Sequence, residues 1–212
     1  MINYWNRHYD DLFRMLREHL TLTLISLVIA LAIALPVGYL LSKYRRVSIP
    51  VMSVLGIIYA VPSLGMFALL IPWVGLGMKP AIIALVVYSQ LILVRSVISG
   101  FQSIEPSVIE AGKGMGLSRW QLFRRIEFPL ALPIVLGGLR VASVSVIGIA
   151  TIAAWVNAGG LGVVLFEGLY QNSAPKIFWG TLFVSALAII VNQLLLYLER
   201  TAMSRARGER AA

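Results

Sequence analysis

The chain has 212 residues, of which 59% are apolar, 13% charged and 10% aromatic; 18 basic residues face 9 acidic ones for a formal net charge of +9, and there is no cysteine. A soluble domain carries about a quarter charged residues, so this composition, with a mean hydropathy of +0.86, points to a chain solvated by lipid and excludes a disordered one. It also excludes disulfides, a thiolate metal site and a cysteine nucleophile, and His8 and His19 alone cannot make a His-rich metal centre.

In chain order, His8 to His19 places Leu12, Phe13, Leu16 and Leu20 at helical spacing among charged residues, which predicts an N-terminal segment, residues 1–19, lying along the membrane interface. Uncharged stretches of about 20 residues, enough for a helix to cross the hydrocarbon, follow at 20–41, 50–74 and 177–198. Two more, 80–101 and 131–156, contain Arg95 and Arg140. The expectation is an all-α polytopic membrane protein with about five transmembrane helices in one domain, 20–198, and a basic tail, 199–212. The first apolar run is too long for a signal-peptide core and leads into Ser42-Lys43-Tyr44-Arg45-Arg46, so it reads as an uncleaved helix.

Charge sets the predicted orientation. With the N-terminus outside, Lys43, Arg45, Arg46, Lys113, Arg119, Arg124, Arg125, Arg200, Arg205, Arg207 and Arg210 fall on the cytoplasmic side, against Arg7, Arg14, Arg17, Lys79 and Lys176 opposite. This is the positive-inside arrangement, and it accounts for the basic excess without a nucleic-acid partner. Arg95 and Arg140 then lie toward the cytoplasmic ends of their helices, where they are expected to snorkel.

Pro62 removes a backbone donor from the second apolar run and predicts a kink, with Ser63 placed to satisfy a freed carbonyl; the kink serves a pathway or packing alone. The longest non-spanning stretch, 103–130, holds Pro106 where a first helical turn accepts it, then Gly112, Gly114 and Gly116. Ser118 and Gln121 form a capping-box pattern for a short helix from Arg119 to Ile126, which Pro129 is expected to end. That helix has Trp120, Leu122, Phe123 and Ile126 apolar and Arg119, Arg124 and Arg125 basic, suiting either the membrane surface or a partner's groove. Beyond the fourth run, Asn157 and Gly159-Gly160-Leu161-Gly162 read as a gate-forming turn or as an ordinary outer loop. Tyr59, Tyr88 and Trp155 offer aromatic faces either to a quaternary ammonium or to the membrane interface. Gln90, Asn192 and Gln193 read as interhelical hydrogen-bonding groups.

The order Glu110-Ala111-Gly112, Gly116, nine residues to Ile126, then Phe128-Pro129 resembles the EAA loop of ATP-binding-cassette importer permeases, with Gly112 in place of the second alanine and Phe128 in place of leucine. Across roughly residues 20–200, Tyr59-Ala60-Val61-Pro62-Ser63-Leu64, Lys79 to Leu85 and Gly148 to Gly162 are similar to permeases of osmoprotectant importers, which carry glycine betaine, choline, carnitine or proline-type solutes; methionine-type permeases share the five-helix core. The resemblance implies a type I importer permease fold, methionine-permease-like, with coupling helices in the bacterial cytoplasmic membrane. Its coupling residues would be Glu110, Ala111, Gly112, Gly116, Leu117, Ser118, Trp120, Phe123, Ile126 and Pro129. Its pathway or gate would draw on Tyr59, Pro62, Ser63, Tyr88, Asn157, Gly159 and Gly160. The implied partners are two copies of an ATP-binding subunit, a second permease, identical or paralogous, and an extracytoplasmic solute-binding protein.

The chain lacks G-x-x-x-x-G-K-[ST], so ATP and magnesium are expected on the partner subunit, with no cofactor or metal on this chain and no catalytic residue. A self-contained ion-coupled carrier or channel would place acidic groups within the spans, where none is expected here. A membrane enzyme would need a cluster of acid, base and nucleophile that the sequence does not offer.

Overall fold

The computed structural model describes residues 1–206, so Arg207 and Arg210 lie outside the described residues. Among the described residues nine α-helices follow in order: α1 (Ile2–Lys43), α2 (Arg45–Ala60), α3 (Ser63–Val74), α4 (Met78–Gln102), α5 (Pro106–Gly114), α6 (Arg119–Leu122), α7 (Phe128–Ala150), α8 (Gly162–Tyr170) and α9 (Ala174–Ala206). A π-helical segment, Phe123–Glu127, joins α6 to α7, and a 3₁₀ turn, Ile152–Val156, follows α7. Among the described residues, four continuous helices are long and apolar enough to cross a membrane: α1, α4, Arg119–Ala150 and α9. The chain is membrane-embedded.

The second predicted span is not one helix. It divides at Val61-Pro62 into α2 and α3, whose axes turn through 94°. Val61 (φ −62°, ψ 131°) and Pro62 (φ −58°, ψ 135°) are both extended, as the residue before a proline and the proline itself favour. The kink expected from Pro62 is thus a full break.

The N-terminal segment also differs from expectation. Residues 2–43 form one unbroken helix, about 63 Å long at 1.5 Å per residue, so the segment continues the first span. Part of this segment meets α9: Trp5 lies 4.7 Å from Trp179 and Phe13 5.8 Å from Phe183, between ring centroids, while Phe13 stays 52% exposed. Leu12 is buried. A long-range partner takes up part of the amphipathic pattern that local reasoning assigned to lipid.

The core lies where α4 is enclosed by α1 and α7. Small residues permit the close approach: a Cβ on Gly38 would stand 2.6 Å from the Val97 Cβ, and one on Gly138 would collide with Ser96. Gln90 crosses this layer and donates to the Ala30 carbonyl at 3.2 Å, the interhelical role expected of it. Arg140 has a partner within the chain: its Nε donates to Glu199 of α9 at 2.9 Å. Only 6% of the most apolar stretch of α9 is buried within the chain, which leaves most of that helix to lipid or another subunit.

Candidate functional site

At the end of the bundle bearing Lys43, Lys113 and Arg119, residues 106–127 form a compact helical hairpin. Glu105 is extended and precedes α5, with Pro106 in its first turn. Gly116 ends the helix at φ +76°, a conformation costly for residues with a Cβ. The Gly116 N–H donates to the Lys113 carbonyl at 2.9 Å and the Leu117 N–H to the Gly112 carbonyl at 3.2 Å, the paired bonds of a Schellman motif. Ser118 then caps α6: its Oγ accepts from the Gln121 N–H at 3.3 Å, and Gln121 Oε1 accepts from the Ser118 N–H at 2.9 Å. Two caps back to back leave almost no free loop between α5 and α6.

Gly112, which stands where the EAA pattern has its second alanine, sits in the last turns of α5, buried, where a Cβ would stand 2.6 Å from Leu122 Cδ1 and 2.7 Å from Ile126 Cδ1. The glycine is what lets α5 close on the following segment. Gly112→Ala is expected to force those flexible tips aside at a cost of about 1 kcal/mol, with Leu122→Val relieving it; thermal inactivation of the purified protein checks both.

Pro129 does not end the helix. Through Phe123–Glu127 the backbone widens to π geometry and continues into α7 with Pro129 in its first turn. The missing N–H is accommodated by the altered bonding of a π-bulge. The second arm of the hairpin and the fourth span are therefore one helical rod, Arg119–Ala150.

The residues singled out in this loop divide into two sets. Glu110, Ala111, Gly116, Ser118 and Trp120 are exposed, Trp120 at 66%. Gly112 is buried, and Leu117, Phe123, Ile126 and Pro129 are partly buried against the chain itself. Phe123 stacks on Phe101 at 6.0 Å and meets the Tyr39 ring at 5.0 Å, tying the rod to α1 and α4.

Sequence reasoning missed the main polar contact. Glu127, assigned to a loop, is buried in the π segment, where it accepts from Lys43 Nζ at 2.7 Å and from Tyr39 Oη at 3.1 Å. Lys43 and Glu127 are 84 residues apart, and no local spacing signals the pair.

At the broken span, Tyr88 is buried and its hydroxyl donates to the Val61 carbonyl at 2.6 Å. It fills the role expected of Ser63, which makes no side-chain cap for α3. Tyr59 meets Tyr88 edge-on at 5.9 Å and borders a cavity of about 460 Å³ with Arg95, Ser96 and Ser145. Tyr88→Phe is expected to loosen the break and lower stability by about 1 kcal/mol, read as an earlier thermal transition.

At the opposite end, the turn after α7 is held on two sides. The Gly77 N–H donates to the Val156 carbonyl at 2.6 Å, and the Gly160 N–H donates to Glu18 Oε2 at 3.0 Å. Asn157, Gly159 and Gly160 all have positive φ, at 61°, 77° and 81°. Asn157 is exposed, Gly159 is half-buried, and Gly160 lies buried against His19, with Ala158 and Leu161 buried beside it. The segment is embedded structure, unlike an ordinary solvated loop.

Residues 20–204 match the family described as the binding-protein-dependent transport system inner membrane component. The chain belongs to that family. This permease is similar to the glycine betaine/carnitine/choline transport system permease protein OpuCB of Bacillus subtilis (strain 168), at 34% identity over 94% of this chain and 92% of the relative. It is also similar to the osmoprotectant import permease protein OsmW of Salmonella typhimurium, at 36% identity over 84% of this chain and 85% of the relative. Among solved structures, a chain of the MetNI methionine ABC transporter in an inward-facing crystal form superposes with a TM-score of 0.82 at 23% identity, covering 90% of this chain and 95% of that one. The permease thus has the methionine-permease-like fold expected from its sequence.

Proposed function

We propose that this permease lies in a bacterial cytoplasmic membrane with its N-terminus outside and its C-terminus in the cytoplasm, and that it imports an osmoprotectant. The solute is of the glycine betaine, choline, carnitine or proline type, delivered by an extracytoplasmic solute-binding protein. A second permease, identical or paralogous, completes the pathway, and two copies of an ATP-binding subunit carry ATP and magnesium. The observation that carries the coupling role is the continuity of the rod Arg119–Ala150: a push on the hairpin moves the fourth span without an intervening flexible joint. Glu110, Ala111, Ser118 and Trp120 form the surface for the ATP-binding subunit. Gly112, Gly116, Leu117, Phe123, Ile126 and Pro129 hold that surface to the membrane domain.

The excess of basic residues at the hairpin end supports the orientation, and the names of the relatives support the solute class. The break at Val61-Pro62, next to Ser63, bordered by Tyr59 and braced by Tyr88, and the turn at Asn157, Gly159 and Gly160 are irregular backbone segments at which a pathway is gated. Uptake by proteoliposomes holding the permease, its ATP-binding subunit and its binding protein tests the proposal. ATP-dependent uptake of glycine betaine or choline is expected; uptake of methionine alone would overturn the solute class, and uptake by the permease without ATP would overturn the importer reading.

A further inference from the structure

A cavity of about 240 Å³ opens between the 3₁₀ turn and α8, lined by Trp155, Asn157, Phe166, Glu167 and Tyr170 among others. The Trp155 ring meets Phe166 at 5.6 Å and 82°, and Tyr170 at 6.3 Å and 62°. Rings set steeply to one another around one space form walls, unlike the parallel rings of a stack. Two of these rings are left uncovered by the chain itself: Trp155 is 52% exposed and Tyr170 70%. Glu167 brings a carboxylate to the same space, and only its Oε2 is taken, by Lys176 Nζ at 2.6 Å.

A quaternary ammonium has no N–H to donate, so it cannot be recognised by hydrogen bonds. It is held by aromatic faces and by acceptor oxygens that need no donor; this cavity offers three rings and the second oxygen of Glu167, whose charge Lys176 already balances. Its volume lies below the roughly 300–1,000 Å³ of drug-sized pockets, in keeping with a small solute. Asn157 places the cavity directly beside the proposed gate turn.

We propose that Trp155, Phe166, Tyr170 and Glu167 form a reception site in the permease itself for the quaternary ammonium group of the transported solute. The inference rests on the solute class proposed above. It assigns the permease a selectivity of its own, in addition to that of the binding protein. Aromatic residues that merely anchor a protein at the membrane interface would not distinguish a cation from a neutral molecule of the same shape.

The test is equilibrium binding of choline to the permease assembled with its ATP-binding subunits in nanodiscs, without the binding protein, compared with 3,3-dimethylbutanol, the neutral carbon isostere of choline. Choline is expected to bind at least roughly tenfold more tightly than the isostere, from the strength of a desolvated cation–π contact. Trp155→Leu is expected to remove most of that difference and Trp155→Phe to retain it, with elution of the assembled complex confirming that each variant folds. Equal binding of choline and isostere, no binding of choline, or unchanged discrimination in Trp155→Leu would overturn the proposal. Uptake by the complete importer separates the two levels: if the site fails while betaine or choline is still transported, the cage is wrong and the solute class stands. If neither is transported while methionine is, the solute class is wrong too.

Discussion

Lys43→Met is expected to destabilise the permease more than Glu127→Gln, although the two residues share one ion pair. The Glu127 side chain is 5% exposed and Lys43 41% exposed. Removing the lysine strands a buried carboxylate with only the Tyr39 hydroxyl as partner, at a cost of about 3 kcal/mol. Replacing the carboxylate by an amide keeps a hydrogen-bonding group in place and leaves a lysine that can swing to water, so the loss is nearer about 1 kcal/mol. The double variant is expected to recover most of the difference. Thermal inactivation of the purified complex measures the order, and the reverse order would contradict the burial asymmetry. Because Glu127 lies in the π segment, Lys43→Met is also expected to weaken the dependence of ATP hydrolysis on solute.

Gly116→Val is expected to abolish solute-stimulated ATP hydrolysis while Gly116→Asn retains much of it. Nothing lies within 4 Å of a Cβ at Gly116, so the penalty is conformational and free of any clash. At φ +76° an ordinary L-residue costs about 1–2 kcal/mol and a β-branched one more, whereas asparagine tolerates this region. Relaxing the turn also breaks the two bonds from Gly116 and Leu117 to the end of α5, so the hairpin loses its fixed shape. A drop of roughly tenfold or more with valine follows from that energy. Equal stimulation in the valine and asparagine variants would show that the turn geometry is irrelevant to coupling.

The parts of the fold that were legible in the sequence are those set by local chemistry. The capping box of Ser118 and Gln121, the helix start at Pro106, the turn at Gly116 and the interruption at Pro62 are each decided within a few residues. Where the sequence misled, a distant partner or a rarer backbone geometry overrode the local signal. Pro129 is a sound stop signal, yet the π segment absorbs it. Phe13 reads as membrane-facing because α9, whose Phe183 it meets, begins more than a hundred and fifty residues later. The pairs Lys43–Glu127, Arg140–Glu199 and Tyr88–Val61 depend on helix register across the bundle, which no spacing in a single chain encodes. The resemblance to the EAA loop picks out the hairpin segment but does not separate its exposed face from its anchored one. Burial makes that separation, leaving Glu110, Ala111, Ser118 and Trp120 outward and Phe123 and Ile126 against the chain.

The central claim is that the exposed face of the hairpin is where the ATP-binding subunit docks, and the absence of cysteine from the chain makes it directly accessible. Single cysteines placed at Met115, which is 72% exposed, at Ser118, and at the control position Asn172 beyond α8 are to be tested for cross-linking to the ATP-binding subunit in the assembled importer. Cross-links from positions 115 and 118 that change with nucleotide, and none from 172, are the expected result. Cross-linking from 172, or none from either hairpin position in a complex that still hydrolyses ATP, would contradict the account.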